Sequence, residues 1–362
     1  EEYDKGQRQS QALELSKQKY QTLFDQVKAI IEEVCSESGE ELYNALVKNL
    51  ATSLGFKYCF VGELDPSDDE KINTLALWSD SDFSENVTYT LAQSPCENVV
   101  GKKLCSYSGK VWEIFPDDKM LADLSIETYV GIPLNDSSNN PLGILCIMHD
   151  ERVTDLTNVK LILPLFAVVA QSEMERQMYE KELHWESEKI QVSRDVAMAA
   201  NDFSNVEDTL KFVLQRFCQF IGFPVGHFYF KTDTSSIMLV PSRLWYFDDP
   251  DKYKTLKAVT ESTTFEAGEG LPSEVMSTQR PKWIHDVYAE DNFPRARKSD
   301  QLGVRSGLAC PIMIRKGVVG VMEFFTPDIL PVDWDIVDTL EQLSTQVGRI
   351  LERARSENLL RE

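Results

Sequence analysis

Four positive charges, Arg295, Arg297, Lys298 and Arg305, gather in one short segment with only Asp300 opposing them, against a strongly acidic background. Guanidinium forks grip carboxylates and phosphates through paired hydrogen bonds, so the cluster predicts a site for a small anion. The competing reading is a solvated basic loop, or one paired with neighbouring acids. Other reactive groups are sparse. The histidines at 149, 184, 227 and 285 have neither H-x-x-H nor H-E-x-x-H spacing, so no metal site is expected. His285 has the chemistry to bind haem iron, yet a lone histidine on a strand edge is more often structural. The seven cysteines, at 35, 59, 96, 105, 146, 218 and 310, form no C-x-x-C pair and sit mostly in apolar runs. They read as small buried hydrophobes in a reducing cytoplasm, the expected location. No Ser-His-Asp or Cys-His pairing has a defensible spacing, and Gly268-Glu269-Gly270 lacks the G-x-G-x-x-G context. The acid pairs Asp117-Asp118 and Asp248-Asp249 read as solvated turns. No catalytic residue is expected, so the chain reads as a non-enzyme.

Composition bounds the partners. The 362 residues carry 42% hydrophobic and 27% charged side chains and a net charge of −22, as fits a globular chain of two domains. Such a charge repels nucleic-acid backbones and anionic lipids. No apolar run approaches the roughly 20 residues of a membrane span; the longest, Leu161 to Ala170, is interrupted by Pro164 and reads as a buried element. The chain starts at Glu1 without methionine and stops at Glu362 in a helical pattern, which reads as a fragment of a larger protein.

The elements that must position these residues come in two similar sets. Leu46, Val47, Leu50 and Leu54, ahead of Gly55-Phe56, match Val213, Leu214, Phe217 and Ile221, ahead of Gly222-Phe223. Each quartet is a helical stripe that buries one face, and each glycine suits a helix end. Strands are expected at Lys57 to Glu63 and at Gly226 to Lys231. Hairpins follow, with Pro133 facing Pro311 and a glycine early in each return strand, Leu142-Gly143 and Val319-Gly320. Helices are expected from about Asp155 and Val332. The order predicts an α+β class: antiparallel sheets with helices gathered on one face. Thr157 to Asn201 holds no glycine and one proline, and predicts a long connecting helix spanning on the order of 60 Å. Tyr20, Leu23, Val27, Ile30 and Val34 near one end, and Ile336, Leu340, Leu343, Val347, Ile350 and Ala354 near the other, have heptad spacing. That spacing suits a parallel helical homodimer, or a stripe covering each domain's own sheet, and both uses are expected.

In this order, and duplicated, the pattern resembles the GAF family across nearly the whole chain. The resemblance is carried by Phe265-Glu266-Ala267-Gly268-Glu269-Gly270-Leu271-Pro272, Arg280 to Val287, Asn292-Phe293-Pro294-Arg295-Ala296 and the Gly307 to Phe325 hairpin. The first half repeats it less cleanly with Ser94 to Val100, a Trp112 strand and the Gly131-Ile132-Pro133-Leu134 hairpin. It implies tandem GAF domains of a bacterial sensory protein: an N-terminal dimerisation helix (1–34), a first domain (35–172), a connecting helix (173–200), a second domain (201–348) and an output-linking helix (349–362). It further implies a small-molecule pocket on the face of each sheet away from the helices. The ligand set carried over with it is Cys96, Trp112, Phe115, Tyr129, Trp283, His285, Phe293, Arg295 and Arg305. The aromatic members read equally well as core. Relatives couple such modules to a diguanylate cyclase, histidine kinase or nucleotide cyclase. A covalent bilin is argued against, since Asn292 to Asp300 and Lys119 to Glu127 hold no cysteine, although Cys96 and Cys105 lie near the implied pocket. A cyclic nucleotide or other small anion stays open, but the late Asp-Glu pair of cyclic-nucleotide binders is replaced by Asp333-Trp334. The alternative from another class is a ligand-free dimerisation scaffold with both pockets filled by side chains.

Overall fold

The computed structural model describes residues 28, 36–202, 205–231, 238–263, 268–315 and 317–359. The stripe Tyr20 to Val34, and with it the N-terminal helix expected over 1–34 apart from Lys28, lies outside the described residues, as do Phe265 to Ala267 of the Gly-rich turn and residues 360–362. The chain divides into two compact units between Glu182 and Leu183.

Unit 1 opens with helix α1 (Glu40–Leu54), which buries Leu42, Tyr43, Leu46, Val47, Leu50 and Ala51 and ends on Gly55 in the left-handed region. Strands β1 (Tyr58–Asp65), β2 (Asp68–Ser79), β3 (Asp82–Ser84), β4 (Thr88–Thr90), β5 (Cys105–Ser108), β6 (Thr128–Asn135) and β7 (Pro141–His149) follow, with short helices α2 (Val111–Ile114) and α3 (Lys119–Asp123) between β5 and β6. The antiparallel sheet runs β3-β2-β1-β7-β6-β5, with β4 also on β2. Helix α4 (Thr157–Asp202) comes next and runs through Pro164.

Unit 2 contains helix α5 (Val206–Ile221), capped by Asn205, whose side chain accepts from the Glu207 N–H, and by left-handed Gly222. Strands β8 (Val225–Lys231) and β9 (Leu239–Phe247), helices α6 (Lys254–Glu261) and α7 (Gly270–Thr278), β10 (Lys282–Ile284), helix α8 (Pro294–Lys298), strands β11 (Ser306–Ile314) and β12 (Gly317–Thr326) and helix α9 (Trp334–Leu359) complete it. Its sheet runs β10-β11-β12-β8-β9. Reading β8 for β1, β9 for β2 and β10, β11 and β12 for β5, β6 and β7 gives the unit 1 order, so the duplicated pattern has a counterpart in duplicated topology.

Both faces of each sheet are buried, which is why the central strands read as continuous apolar runs rather than alternating ones. On β1, Cys59 and Val61 face α1 and the start of α4, while Tyr58 and Phe60 face the other side. On β12, Met322 and Phe324 face α5 and α9, while Val321 and Phe325 face away. Met174 is buried in the helix-side core of unit 1, and Val192 and Val196 in that of unit 2. Parts of the connecting segment (173–200) therefore also serve the two cores. Of the two uses expected for the C-terminal stripe, the sheet-covering one is seen: Leu340, Leu343, Val347 and Ile350 are buried against unit 2's own sheet. Each such side chain gains about 1.5–3 kcal/mol from burial at home, so up to Ile350 the stripe has no exposed seam to offer a partner.

Candidate functional site

The two sheets differ on the faces turned away from their helices. In unit 1 this face carries a cavity of about 350 Å³ whose wall includes Phe60, Leu77, Tyr89, Cys96, Tyr129 and Met148. Phe60 and Met148 point into it because they sit at alternate positions to Cys59 and Ile147 of the helix-side core. A 3-10 turn, Pro95–Asn98, brings in Cys96. The Tyr89 hydroxyl donates to Cys96 Sγ at 3.3 Å and the Tyr129 hydroxyl at 3.2 Å. Burial pushes the Cys96 thiol up despite those two hydrogen bonds, which favour the thiolate. A protonated thiol is a poor nucleophile. Asp118 closes the rim, capping α3 through the Leu121 N–H at 3.4 Å. Burial holds its carboxyl above the usual carboxylate range, against the Leu121 and Met120 amides.

In unit 2, among the described residues, side chains occupy the corresponding space. Phe60 pairs with Cys146 across β1 and β7; His227 pairs with Glu323 at the same ladder position across β8 and β12. Likewise Tyr129 opposite Met148 becomes Gly307 opposite Phe325. Glu323 is 0% exposed and grips Arg295, itself 1% exposed, through two hydrogen bonds of 2.8 and 2.7 Å. Arg295 also donates to Thr260 Oγ1 at 3.2 Å and to the Tyr229 hydroxyl at 3.4 Å, and its guanidinium lies 4.5 Å from the Phe293 ring centre and 5.1 Å from that of Phe325. Buried His227 places Nδ1 3.2 Å from Glu323 Oε1 and Nε2 3.1 Å from the Ser242 carbonyl, and stacks on Trp245 at 3.8 Å. Burial alone would raise the Glu323 carboxyl, but Arg295 and His227 outweigh it and hold it below its ordinary range.

The anion cluster read from the sequence is therefore not assembled as one site. Arg295 is neutralised inside the core, and Arg305 forks onto Asp286 at 3.0 and 2.5 Å. Arg297 donates to the Asp291 carbonyl and Lys298 to Thr263 Oγ1. Of the residues carried over as ligand contacts, Cys96 and Tyr129 line the unit 1 cavity. Phe115 packs on Tyr107 beside it. Trp112 lies in helix α2, not in the strand expected there, with Lys110 over its ring. Trp283 packs on the helix side of the unit 2 sheet against Phe223, away from the implied pocket face. His285 is exposed, with Nδ1 2.9 Å from the Leu330 carbonyl. Phe293 is fully buried in the filled interior. The sequence reading missed Glu323 and His227, although each is a polar residue inside an apolar strand run, which is the signal of a buried ion pair. Among the described residues no group of His, Cys, Asp and Glu is arranged to hold a metal ion, and no helix is long and apolar enough to cross a membrane.

Residues 204–352 match the family model of the GAF domain. No curated protein matches the chain significantly. Among solved structures the chain is similar to a bacteriophytochrome from the photosynthetic bacterium R. palustris, with 11% identity over 84% of this chain and 64% of that one and a TM-score of 0.51. It is also similar to the GAF domain from a phosphoenolpyruvate-protein phosphotransferase of Coxiella burnetii (14% identity, 48% of this chain and 98% of that one, TM-score 0.40). A third likeness is to a free methionine-R-sulfoxide reductase from Neisseria meningitidis in complex with its substrate (17%, 48% and 91%, TM-score 0.38).

Proposed function

We propose, from the premise that residues 204–352 form a GAF domain, that the chain is a regulatory sensor module in which unit 1 takes the ligand. The observation that carries this is the unit 1 cavity of about 350 Å³, within the range of small-molecule sites. Unit 1 is read as a second GAF domain because its sheet repeats the strand order of unit 2. Unit 2, with its interior filled, takes the scaffold role. A ligand ordering the walls around Tyr89 and Cys96 favours one packing of the sheet against α1 and α4, and α4 and α9 carry the difference towards an output domain such as a diguanylate cyclase, histidine kinase or nucleotide cyclase. No reaction is assigned to these residues. Homodimerisation is supported by apolar side chains that α4 leaves exposed, among them Leu161, Leu165, Val168, Tyr179, Leu183 and Ile190, near heptad spacing. The acidic surface and reducing-compartment cysteines favour a cytoplasmic location.

The test is saturable binding of the neutral fluorophore N-phenyl-1-naphthylamine. Wild-type protein is expected to bind one molecule, and Leu77→Trp, which fills the cavity from its partly exposed wall, to weaken binding at least about tenfold with unchanged melting. Equal binding by the variant, or none by wild type, contradicts the reading.

A further inference from the structure

We propose that the unit 1 cavity selects a cation, a small molecule carrying a protonated amine on an apolar and preferably aromatic body. This rests on the reading of that cavity as the ligand site. The inference comes from which hydrogen-bonding capacity the wall has left. The Tyr89 and Tyr129 hydroxyls both spend their protons on Cys96 Sγ, so their oxygens offer the cavity lone pairs and no donor. Ser94 donates to the Leu91 carbonyl at 2.7 Å and Thr74 to Asn86 Oδ1 at 3.1 Å. The wall contains no Arg, His, Asn, Gln or Trp, and its one cationic side chain, Lys119, stands at the rim. The hydroxyls of Tyr58, Ser79 and Thr90 can serve either sense, whereas the Tyr89 and Tyr129 oxygens accept only, and the rings of Phe60, Tyr89 and Tyr129 present electron-rich faces. A positively charged nitrogen is the complement of both.

The rim adds charge of the same sense. Asp117 and Lys119 are both exposed, where solvent screens them, which leaves Asp118 as the rim charge least screened. Asp118 is partly buried, so its carboxylate has lost hydration that an ammonium group would replace with a charge-assisted hydrogen bond. An anion would meet no charged donor inside and net repulsion at the entrance. The site thus has the opposite preference to the one the basic segment of unit 2 pointed to.

Three ligands sharing an indole ring separate the charges: tryptamine (cation), tryptophol (neutral) and indole-3-acetate (anion), each measured by displacement of the naphthylamine probe. Tryptamine is expected to bind about tenfold more tightly than tryptophol, and indole-3-acetate most weakly. Asp118→Asn is expected to reduce the preference severalfold, leaving the part due to the rings, and keeps a side-chain acceptor to cap α3, so its melting temperature is expected to hold. Equal affinities, a preference for the anion, or a tryptamine preference undiminished in Asp118→Asn overturns the inference. If none of the three displaces a bound probe, the charge assignment falls and the cavity reading stands. If the probe itself does not bind, both fall.

Discussion

Arg295→Met is expected to cost unit 2 about 3–5 kcal/mol, a drop of roughly ten degrees in its melting transition. The size follows from what the substitution leaves behind. Glu323 is wholly buried and its carboxylate is gripped by the two nitrogens of the Arg295 fork. Methionine fills similar space but strands that charge in a low-dielectric interior. The double variant Arg295→Met/Glu323→Leu removes both charges and is expected to recover most of the loss, since a buried ion pair is close to neutral against a well-packed apolar replacement. The pair also fixes a pH dependence. Glu323 is held below its ordinary range in the folded state, whereas the unfolded carboxyl titrates near about 4.3. Its contribution is therefore present above that unfolded value and is lost as pH falls through the lower folded one. Acid unfolding of unit 2 should be less steep in the double variant. A wild-type melting temperature for Arg295→Met would show that Arg295 is not where the structure places it.

Gly143→Val and Gly320→Val are expected to destabilise units 1 and 2 respectively by about 3 kcal/mol each. A Cβ at 143 would stand 2.0 Å from the Gly62 carbonyl oxygen, and one at 320 would stand 2.5 Å from that of Tyr229. In both cases the obstacle is the backbone of the neighbouring central strand, which cannot rotate aside as a side chain can. Gly55→Ala makes the contrast: no atom lies within 4 Å of the place its added methyl would take, and its positive φ of 68° is the only strain, so about 1 kcal/mol is expected. Denaturant unfolding of each unit reads all three.

Those two glycines also show what the sequence made legible. Their matched places in two hairpins, together with the Leu50 and Phe217 stripes, yield both antiparallel sheets and their helix faces, because local spacing and burial agree there. The site was harder to read. Cys96 and Tyr129 were reached through the family pattern, but Phe60, Leu77 and Met148 look like any other core residue until the register shows which face they take. The two readings of Arg295, anion contact or paired base, could not be separated along the chain because its partner stands 28 residues away, inside a strand. A cluster of like charges along the chain says nothing about which of them a buried acid will claim. Glu323 and His227 share a face of neighbouring strands at paired positions, and that period-two relation was visible only once β8 was aligned with β12. The heptad stripe from Leu340 to Ile350 illustrates the same ambiguity: its spacing serves a sheet as well as a partner helix, and these four residues are buried against the sheet.

The division of labour between an open unit 1 and a filled unit 2 is tested most directly by pressurising crystals of the protein with xenon, which enters apolar cavities without depending on any ligand's identity. Xenon is expected between Phe60, Leu77 and Met148 of unit 1 and absent from the space among Tyr229, Phe293 and Phe325 of unit 2. Xenon density inside unit 2, or an unoccupied unit 1 under the same pressure, would contradict the account.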